Sequence, residues 1–179
     1  MNITTTPLSG VAVIDLERKE DDRGFFARTF CREEFAAAGL EPLVEQCNLS
    51  FNHRAGTLRG MHYQAEPHGE AKLVRCTRGA IYDVIVDLRP ESEAFRRWFG
   101  IELRAGGTQS LFVPAGFAHG FQTLTDDVEV SYQMSYHYVP EAARGVRWDD
   151  PAFAIEWPEP PPGGRVISER DATYPDFDP

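Results

Sequence analysis

Cysteine is scarce in this chain, and long apolar segments are missing. The 179 residues include three cysteines, Cys31, Cys47 and Cys76, with no C-x-x-C spacing. An odd number without that spacing argues against a disulfide framework, and we expect reduced, buried thiols. No segment approaches the roughly 18 apolar residues of a membrane span, and residues 1–10 lack the pattern of a signal peptide. We therefore expect a cytoplasmic protein with no membrane partner.

Positive charge is also in deficit. The chain has 18 Lys and Arg against 28 Asp and Glu, a formal net charge of −10. Such a field repels nucleic acid and anionic membrane, so an anionic ligand needs a local cluster of cationic side chains. Hydrophobic residues make up 42% of the chain, enough for a sizeable core. At this length we expect one domain, residues 1–179.

Segments with alternating apolar and polar residues recur throughout the chain and predict an all-β fold. They are 11–16, 24–30, 43–51, 57–64, 71–79, 80–89, 99–105, 110–116, 118–124 and 128–139. One helix is predicted at REEFAAAGL, from Arg32, with Gly39 at its end. About ten strands in a small domain favour a sandwich or a closed barrel.

The segment GTLRGMHYQ, residues 56–64, places polar side chains where a strand would ordinarily bury leucine. Gly56 is followed by five residues and then His62, and a second motif reads Pro114-x-Gly116-x-x-His119. These motifs resemble the two motifs of the cupin superfamily, a double-stranded β-helix or jelly roll. The resemblance implies that inward-facing residues of both motifs converge inside a barrel.

A metal-binding cupin would carry a second histidine where this chain has Gln64, and a glutamate where it has Lys72. A lysine ammonium repels a divalent cation, so we expect no metal. The polar residues that remain are His62, Lys72, His119, Arg59 and Tyr132. An imidazole beside a fixed cation can take a proton from carbon and stabilise the resulting oxyanion.

Longer motifs extend the resemblance over nearly the whole chain. LRGMHYQ, KLVRCTRGAIYDVIVDLRP, VPAGFAHGFQTL, GVRWDDPAFAIEWP and ISERD resemble the dTDP-4-dehydrorhamnose 3,5-epimerase family. The resemblance implies an epimerase of a nucleotide-diphospho-4-keto-6-deoxy sugar in deoxysugar or surface polysaccharide biosynthesis. It also implies that no cofactor is needed, and that the protein is a homodimer with strands exchanged between subunits.

The same resemblance assigns roles to individual residues. It implies that His62 is the general base, that Asp171 orients it, and that Tyr132 is the general acid on the opposite face of the sugar. Lys72 would stabilise the enolate. The positions that match substrate-binding residues are Arg23, Gln46, Asn48, Arg59, His119 and Arg170. Arginine suits a pyrophosphate because its planar fork forms paired charge-assisted hydrogen bonds.

Two positions depart from the family pattern. Arg28 in DDRGFFAR and Ala143 in PEAARG stand where the family usually has glutamates that contact substrate. The proton-transfer residues are retained. We therefore expect an altered choice of substrate with unchanged chemistry.

Other functions fit the same residues. The protein could use the enolate for a single epimerisation or for ketone migration. It could also be a module that binds the sugar nucleotide without turnover. The base, lysine and tyrosine together argue against simple binding, which does not need all three.

The candidate residues also have structural interpretations. His62 could form only structural hydrogen bonds, and Lys72 could protect a sheet edge. Tyr132 could belong to an aromatic cluster with Tyr136 and Tyr138, and Asp171 to a solvated tail. The pair Asp149-Asp150, followed by proline, is interpreted as turn chemistry rather than paired carboxylates.

Overall fold

The structure, a computed structural model, describes residues 1–178 and consists mainly of short strands. Within that range it has two short α-helices, α1 (Arg32–Ala37) and α2 (Glu169–Ala172). The strands are β1 (Asn2–Thr5), β2 (Ala12–Asp15), β3 (Lys19–Asp21), β4 (Gly24–Phe26), β5 (Gln46–Asn52), β6 (Leu58–Gln64), β7 (Lys72–Arg78), β8 (Ala80–Asp87), β9 (Trp98–Arg104), β10 (Gln109–Val113), β11 (Phe117–Thr123), β12 (Val128–Met134) and β13 (Ala143–Gly145). Neither helix is long enough to cross a membrane.

Two antiparallel sheets face each other and enclose the core. The six-stranded sheet has the order β1-β2-β10-β7-β12-β5, and the five-stranded sheet has the order β13-β6-β11-β8-β9. Apolar side chains from both sheets meet between them, including Val74, Leu111 and Val130 from the first and Ile85 and Phe121 from the second. The arrangement confirms the predicted all-β jelly roll. β3 and β4 form a separate two-stranded sheet.

The local sequence explains the best-formed elements. Every side chain of β8 except Tyr82 is buried, as expected for a strand with neighbours on both sides and a nearly continuous apolar sequence. Phe35 fixes α1 against the six-stranded sheet, where its ring meets Phe112 edge-on at 5.9 Å between centroids. Gly39 follows the helix with a φ of +72°, a conformation that glycine adopts without strain.

The structure corrects several strand predictions. The segment 128–139 is a strand only as far as Met134, because Ser135 turns away and exchanges hydrogen bonds with Ala71. The predicted strand 24–30 extends only from Gly24 to Phe26. β1, β3 and β13 were not predicted, since three or four mostly polar residues show no period.

The cysteine prediction is partly wrong. All three thiols are free, but only Cys76 is buried, whereas Cys47 is exposed. Cys47 lies on β5, one of the two edge strands of the six-stranded sheet, and most residues of β5 are exposed.

Candidate active site

His62 and Asp171 form a hydrogen-bonded pair at the end of the barrel. The Nε2 atom of His62 lies 2.8 Å from Oδ1 of Asp171. The imidazole is 44% exposed, while the carboxylate is only 7% exposed. A ligand can therefore reach the histidine, whereas the aspartate contacts it from the protein interior.

Asp171 does not lie in a solvated tail. The Ser168 side chain caps α2 by accepting a hydrogen bond from the Asp171 amide at 3.1 Å. The Gly60 amide donates to Oδ2 of Asp171 at 3.2 Å, which ties α2 to β6. Burial raises the pKa of Asp171, but the hydrogen bond and charge of His62, with the Gly60 and Ser168 contacts, bring the pKa below its ordinary 3.8. The carboxylate is thus anionic at neutral pH and fixes the imidazole.

An irregularity between β6 and β11 places Arg59 on the same side of the sheet as His62. In a regular strand, residues three apart point to opposite faces. Here His62 pairs with His119 and Arg59 pairs with Phe121, so the extra residue lies in β6. Gly60 permits the close approach, because a Cβ atom there would lie 2.5 Å from the Cα of Gly120.

Lys72 begins β7 and is nearly buried. Its Nζ atom donates to the His62 carbonyl oxygen at 3.1 Å and lies 3.0 Å from Oε1 of Glu70. An ammonium has three donors, so one N–H remains for a ligand. β7 lies between β10 and β12, which excludes the edge-strand interpretation.

Tyr132 lies on β12, in the opposite sheet, and packs against His119. The two rings meet edge-on, with centroids 6.1 Å apart. Nε2 of His119 lies 2.7 Å from Oδ1 of Asp83, and both side chains are buried. The alternative interpretation of Tyr132 as part of an aromatic cluster with Tyr136 and Tyr138 is not supported, since Tyr136 stacks on His137 beyond the end of the strand.

The environment keeps the Tyr132 phenol protonated. Burial raises its pKa well above the ordinary 10.0, and the charge of Asp83 raises it further. Arg59 and Ser50 act in the opposite direction. Arg59 is also the cation that would stabilise a phenolate formed after proton donation.

Gln64 is occupied by structural hydrogen bonds. Its amide donates to the carbonyl oxygens of His68 and His137, and its Oε1 accepts from the Val139 amide at 2.6 Å. It anchors the connection that follows β12. The two positions at which a metal-binding cupin has ligands therefore hold an engaged amide and an ion-paired ammonium.

Two adjoining cavities open onto His62, Lys72 and Gln64, whereas Tyr132, His119 and Arg59 line neither of them. One, of about 230 Å³, is lined by His62, Lys72, Ala143 and Arg170 among others. The other, of about 290 Å³, is lined by Gln46 and Asn48, and the two share the side chains of Gln64, Glu70, Met134 and Tyr138. A further cavity of about 450 Å³ lies at Arg89 and is lined by no histidine, lysine or tyrosine.

Arg23 and Arg28 lie outside this group. Arg23 is 89% exposed at the turn between β3 and β4, where it pairs with Asp21 at 2.6 Å. Arg28 pairs with Glu34 of α1 at 3.2 Å. Neither residue lines the cavities at His62.

Comparison with known proteins shows the family of this chain. The model of the family described as dTDP-4-dehydrorhamnose 3,5-epimerase matches residues 5–179. The chain belongs to this family. It is 40% identical over 175 residues to the dTDP-4-dehydrorhamnose 3,5-epimerase of Sinorhizobium fredii, covering 98% of this chain and 89% of the relative. It is 37% identical over 172 residues to the dTDP-4-dehydrorhamnose 3-epimerase of Streptomyces niveus, covering 96% and 81%.

A solved structure gives the same result. The dTDP-6-deoxy-D-glucose-3,5-epimerase of Legionella pneumophila, in complex with dTDP-4-keto-L-rhamnose, superposes with a TM-score of 0.89 at 32% identity. The match covers 96% of this chain and 89% of that one. The chain described here is therefore an isomerase of the epimerase type, as the motifs predicted.

Two acidic residues of the site were missed from the sequence. Asp83 is the one charged residue in the interior of β8, and such a residue in an apolar strand indicates a buried partner. Glu70 stands two residues before Lys72, so in an extended chain the two side chains lie on one face. Both signals were present in the sequence.

Proposed function

We propose that the protein inverts carbon centres next to the ketone of a dTDP-linked 4-keto-6-deoxy sugar. The observation that carries this proposal is the His62–Asp171 pair, whose exposed imidazole faces a cavity beside the Lys72 ammonium. A base that is fixed by a buried carboxylate and placed next to a cation is suited to forming an enolate. The family and its dTDP-sugar relatives support the substrate class.

The proposed reaction transfers one proton at each centre. His62 takes the proton from the carbon beside the ketone, the C–H electron pair becomes the enolate, and the free N–H of Lys72 stabilises the oxyanion. Tyr132 then donates its phenolic proton to the other face of that carbon. His62 ends protonated and Tyr132 ends as phenolate, and solvent exchange restores both. The two residues lie on facing sheets, which supports delivery from opposite sides.

Residues that line the cavities would bind the rest of the substrate. Gln46, Asn48 and Arg170 lie at the open side, and Arg59 is exposed near Tyr132. We assign the diphosphate to the two arginines. His119 lies deeper and contacts the Tyr132 ring, so we assign it to positioning that ring beside the sugar.

The same proposal includes a homodimer. β5 is a free sheet edge with exposed Leu49 and Phe51, and the separate β3–β4 hairpin exposes Phe25 and Phe26. Such edges and apolar patches are usually covered by a partner. In an exchanged dimer the hairpin would add to the sheet of the other subunit, and Arg23 would reach the substrate there.

Two observations bear on the alternatives. The Streptomyces niveus relative is named as a 3-epimerase, which keeps inversion at one centre as the second candidate. Ala143 lines the cavity, so the missing carboxylate there can alter sugar recognition directly. Arg28 lines neither cavity, so it could contact the substrate only from the other subunit of a dimer.

The test is a panel of nucleotide-linked 4-keto-6-deoxy sugars whose products are identified by proton NMR. We expect at least one dTDP-linked member to be inverted at carbons 3 and 5. Inversion at carbon 3 alone supports the second candidate, and migration of the ketone would identify an isomerase. If no member is converted while dTDP still binds, the proposed function is wrong.

A further inference from the structure

The Glu70 carboxylate is the least satisfied polar group of the cavity. Its side chain is 5% exposed, and Oε1 lies 3.0 Å from the Lys72 ammonium. Oε2 is buried and has no hydrogen-bond partner among residues 1–178. Leaving a carboxylate oxygen out of water without a donor is costly, so such an atom calls for an explanation.

Neighbouring side chains do not supply the missing donor. Both amide hydrogens of Gln64 are directed to carbonyl oxygens. The Lys72 ammonium already pairs with the other oxygen of the same carboxylate. Glu70 itself lines both cavities, so a bound ligand can reach its side chain.

Under the proposed function, a hydroxyl group of the bound sugar can be the missing donor. A 4-keto-6-deoxyhexose joined to a nucleotide through carbon 1 has hydroxyl groups on carbons 2 and 3. The hydroxyl on carbon 3 changes direction when that centre inverts, whereas the hydroxyl on carbon 2 keeps its configuration. A fixed acceptor can hold the second group throughout the reaction.

We propose that Oε2 of Glu70 accepts a hydrogen bond from the 2-hydroxyl of the bound sugar, which makes Glu70 a specificity-determining residue. This inference rests on the proposed function. With the ketone oxygen at Lys72 and the 2-hydroxyl at Glu70, the ion pair holds two substituents that flank carbon 3. The carbon that loses its proton is thereby fixed relative to His62.

The test compares kcat/KM for the substrate and its 2-deoxy analogue in the parent and in Glu70→Gln. A hydrogen bond to a charged group predicts that the parent loses about 10- to 100-fold on the analogue. In Glu70→Gln the ratio of kcat/KM for the substrate to kcat/KM for the 2-deoxy analogue should fall at least about fivefold, because the hydroxyl no longer meets a carboxylate. The intrinsic effect of the missing hydroxyl on reactivity is the same in both proteins and cancels.

Glu66→Gln is the matched control, since it makes the same change on an exposed residue of the same connection and should keep the parent ratio. Equal use of both sugars by the parent overturns the inference, and so does an unchanged ratio in a folded Glu70→Gln. If that variant does not fold, the parent ratio alone decides. No turnover of the 2-hydroxy sugar by the parent overturns the proposed function itself.

Discussion

In the proposed reaction, the residues that transfer protons lie on opposite walls of the barrel. His62 projects from β6 of one sheet, and Tyr132 projects from β12 of the other. Each has its own buried carboxylate nearby, Asp171 at the base and Asp83 near the acid. The carboxylate bonded to the base stabilises its cationic form, and the one near the acid disfavours its anionic form.

Mutation should separate the two transfers. His62→Ala should lower both solvent deuterium uptake and product formation by at least about 100-fold, because no enolate forms. Tyr132→Phe removes one oxygen, so exchange at the carbon beside the ketone should continue while inverted product falls. Mass spectrometry and NMR of the same reaction measure both quantities. Inversion by Tyr132→Phe at close to the parent rate would assign the acid to water or to Tyr138.

The titration of Tyr132 provides a second prediction. Because burial raises the pKa of this phenol, the folded state binds its proton more tightly than the unfolded state, whose pKa is near 10. The resulting stabilisation is fully present below pH 10 and is lost as the pH rises through the higher folded pKa. The near-ultraviolet phenolate difference between the parent and Tyr132→Phe should show no step up to about pH 10. A step of one tyrosine at or below that pH would contradict the burial described here.

The residues that could be predicted from the sequence are those within contiguous motifs. His62 and Lys72 follow from short patterns with fixed spacing, and the structure places both at one cavity. The contact between His62 and Asp171 joins positions 109 residues apart, so only the resemblance could suggest it. The Arg59 side chain also needed the structure, since the irregularity in β6 reverses its expected face.

At the scale of elements, the long strands were predictable and the short ones were not. β8 carries a nearly continuous apolar sequence that predicts a buried strand, and β11, which falls largely within the predicted segment 118–124, is buried throughout. β3 is short and fully exposed, so its sequence shows no buried face. β13 has only three residues, and its pairing depends on β6, far away in the chain. β13 nevertheless matters, because it pairs with β6 beside His62 and carries Ala143.

The β3–β4 hairpin supplies the prediction for elements. If it adds to a partner sheet, Phe26→Glu should weaken dimerisation by at least about 30-fold, because a central aromatic side chain would be replaced by a charge. Turnover should fall together with dimerisation, because Arg23 would no longer reach the active site of the other subunit. Light scattering after gel filtration, with kinetics on the same samples, measures both effects. Val166→Glu changes another exposed apolar residue and should alter neither; a fully active Phe26→Glu monomer would contradict the exchanged dimer.

At the scale of the whole molecule, the fold is that of a cupin, but the two positions that carry metal ligands in a metal-binding cupin are occupied by other residues. Gln64 anchors backbone, and Lys72 is ion-paired within the cavity. We therefore predict that prolonged chelation followed by gel filtration leaves kcat/KM unchanged within about twofold, because no step needs a Lewis acid. Elemental analysis of the treated protein is the control. Loss of turnover that is restored by zinc, iron or manganese would contradict the prediction.

The most direct test of the central claim is solvent exchange at the two carbons that flank the ketone. The parent protein is incubated in deuterated water with a dTDP-linked 4-keto-6-deoxy sugar, and the proton signals of carbons 3 and 5 are followed by NMR. His62→Ala serves as the blank. Deuterium should enter both positions as the inverted product forms. Bound sugar nucleotide with no deuterium at either carbon would contradict this claim.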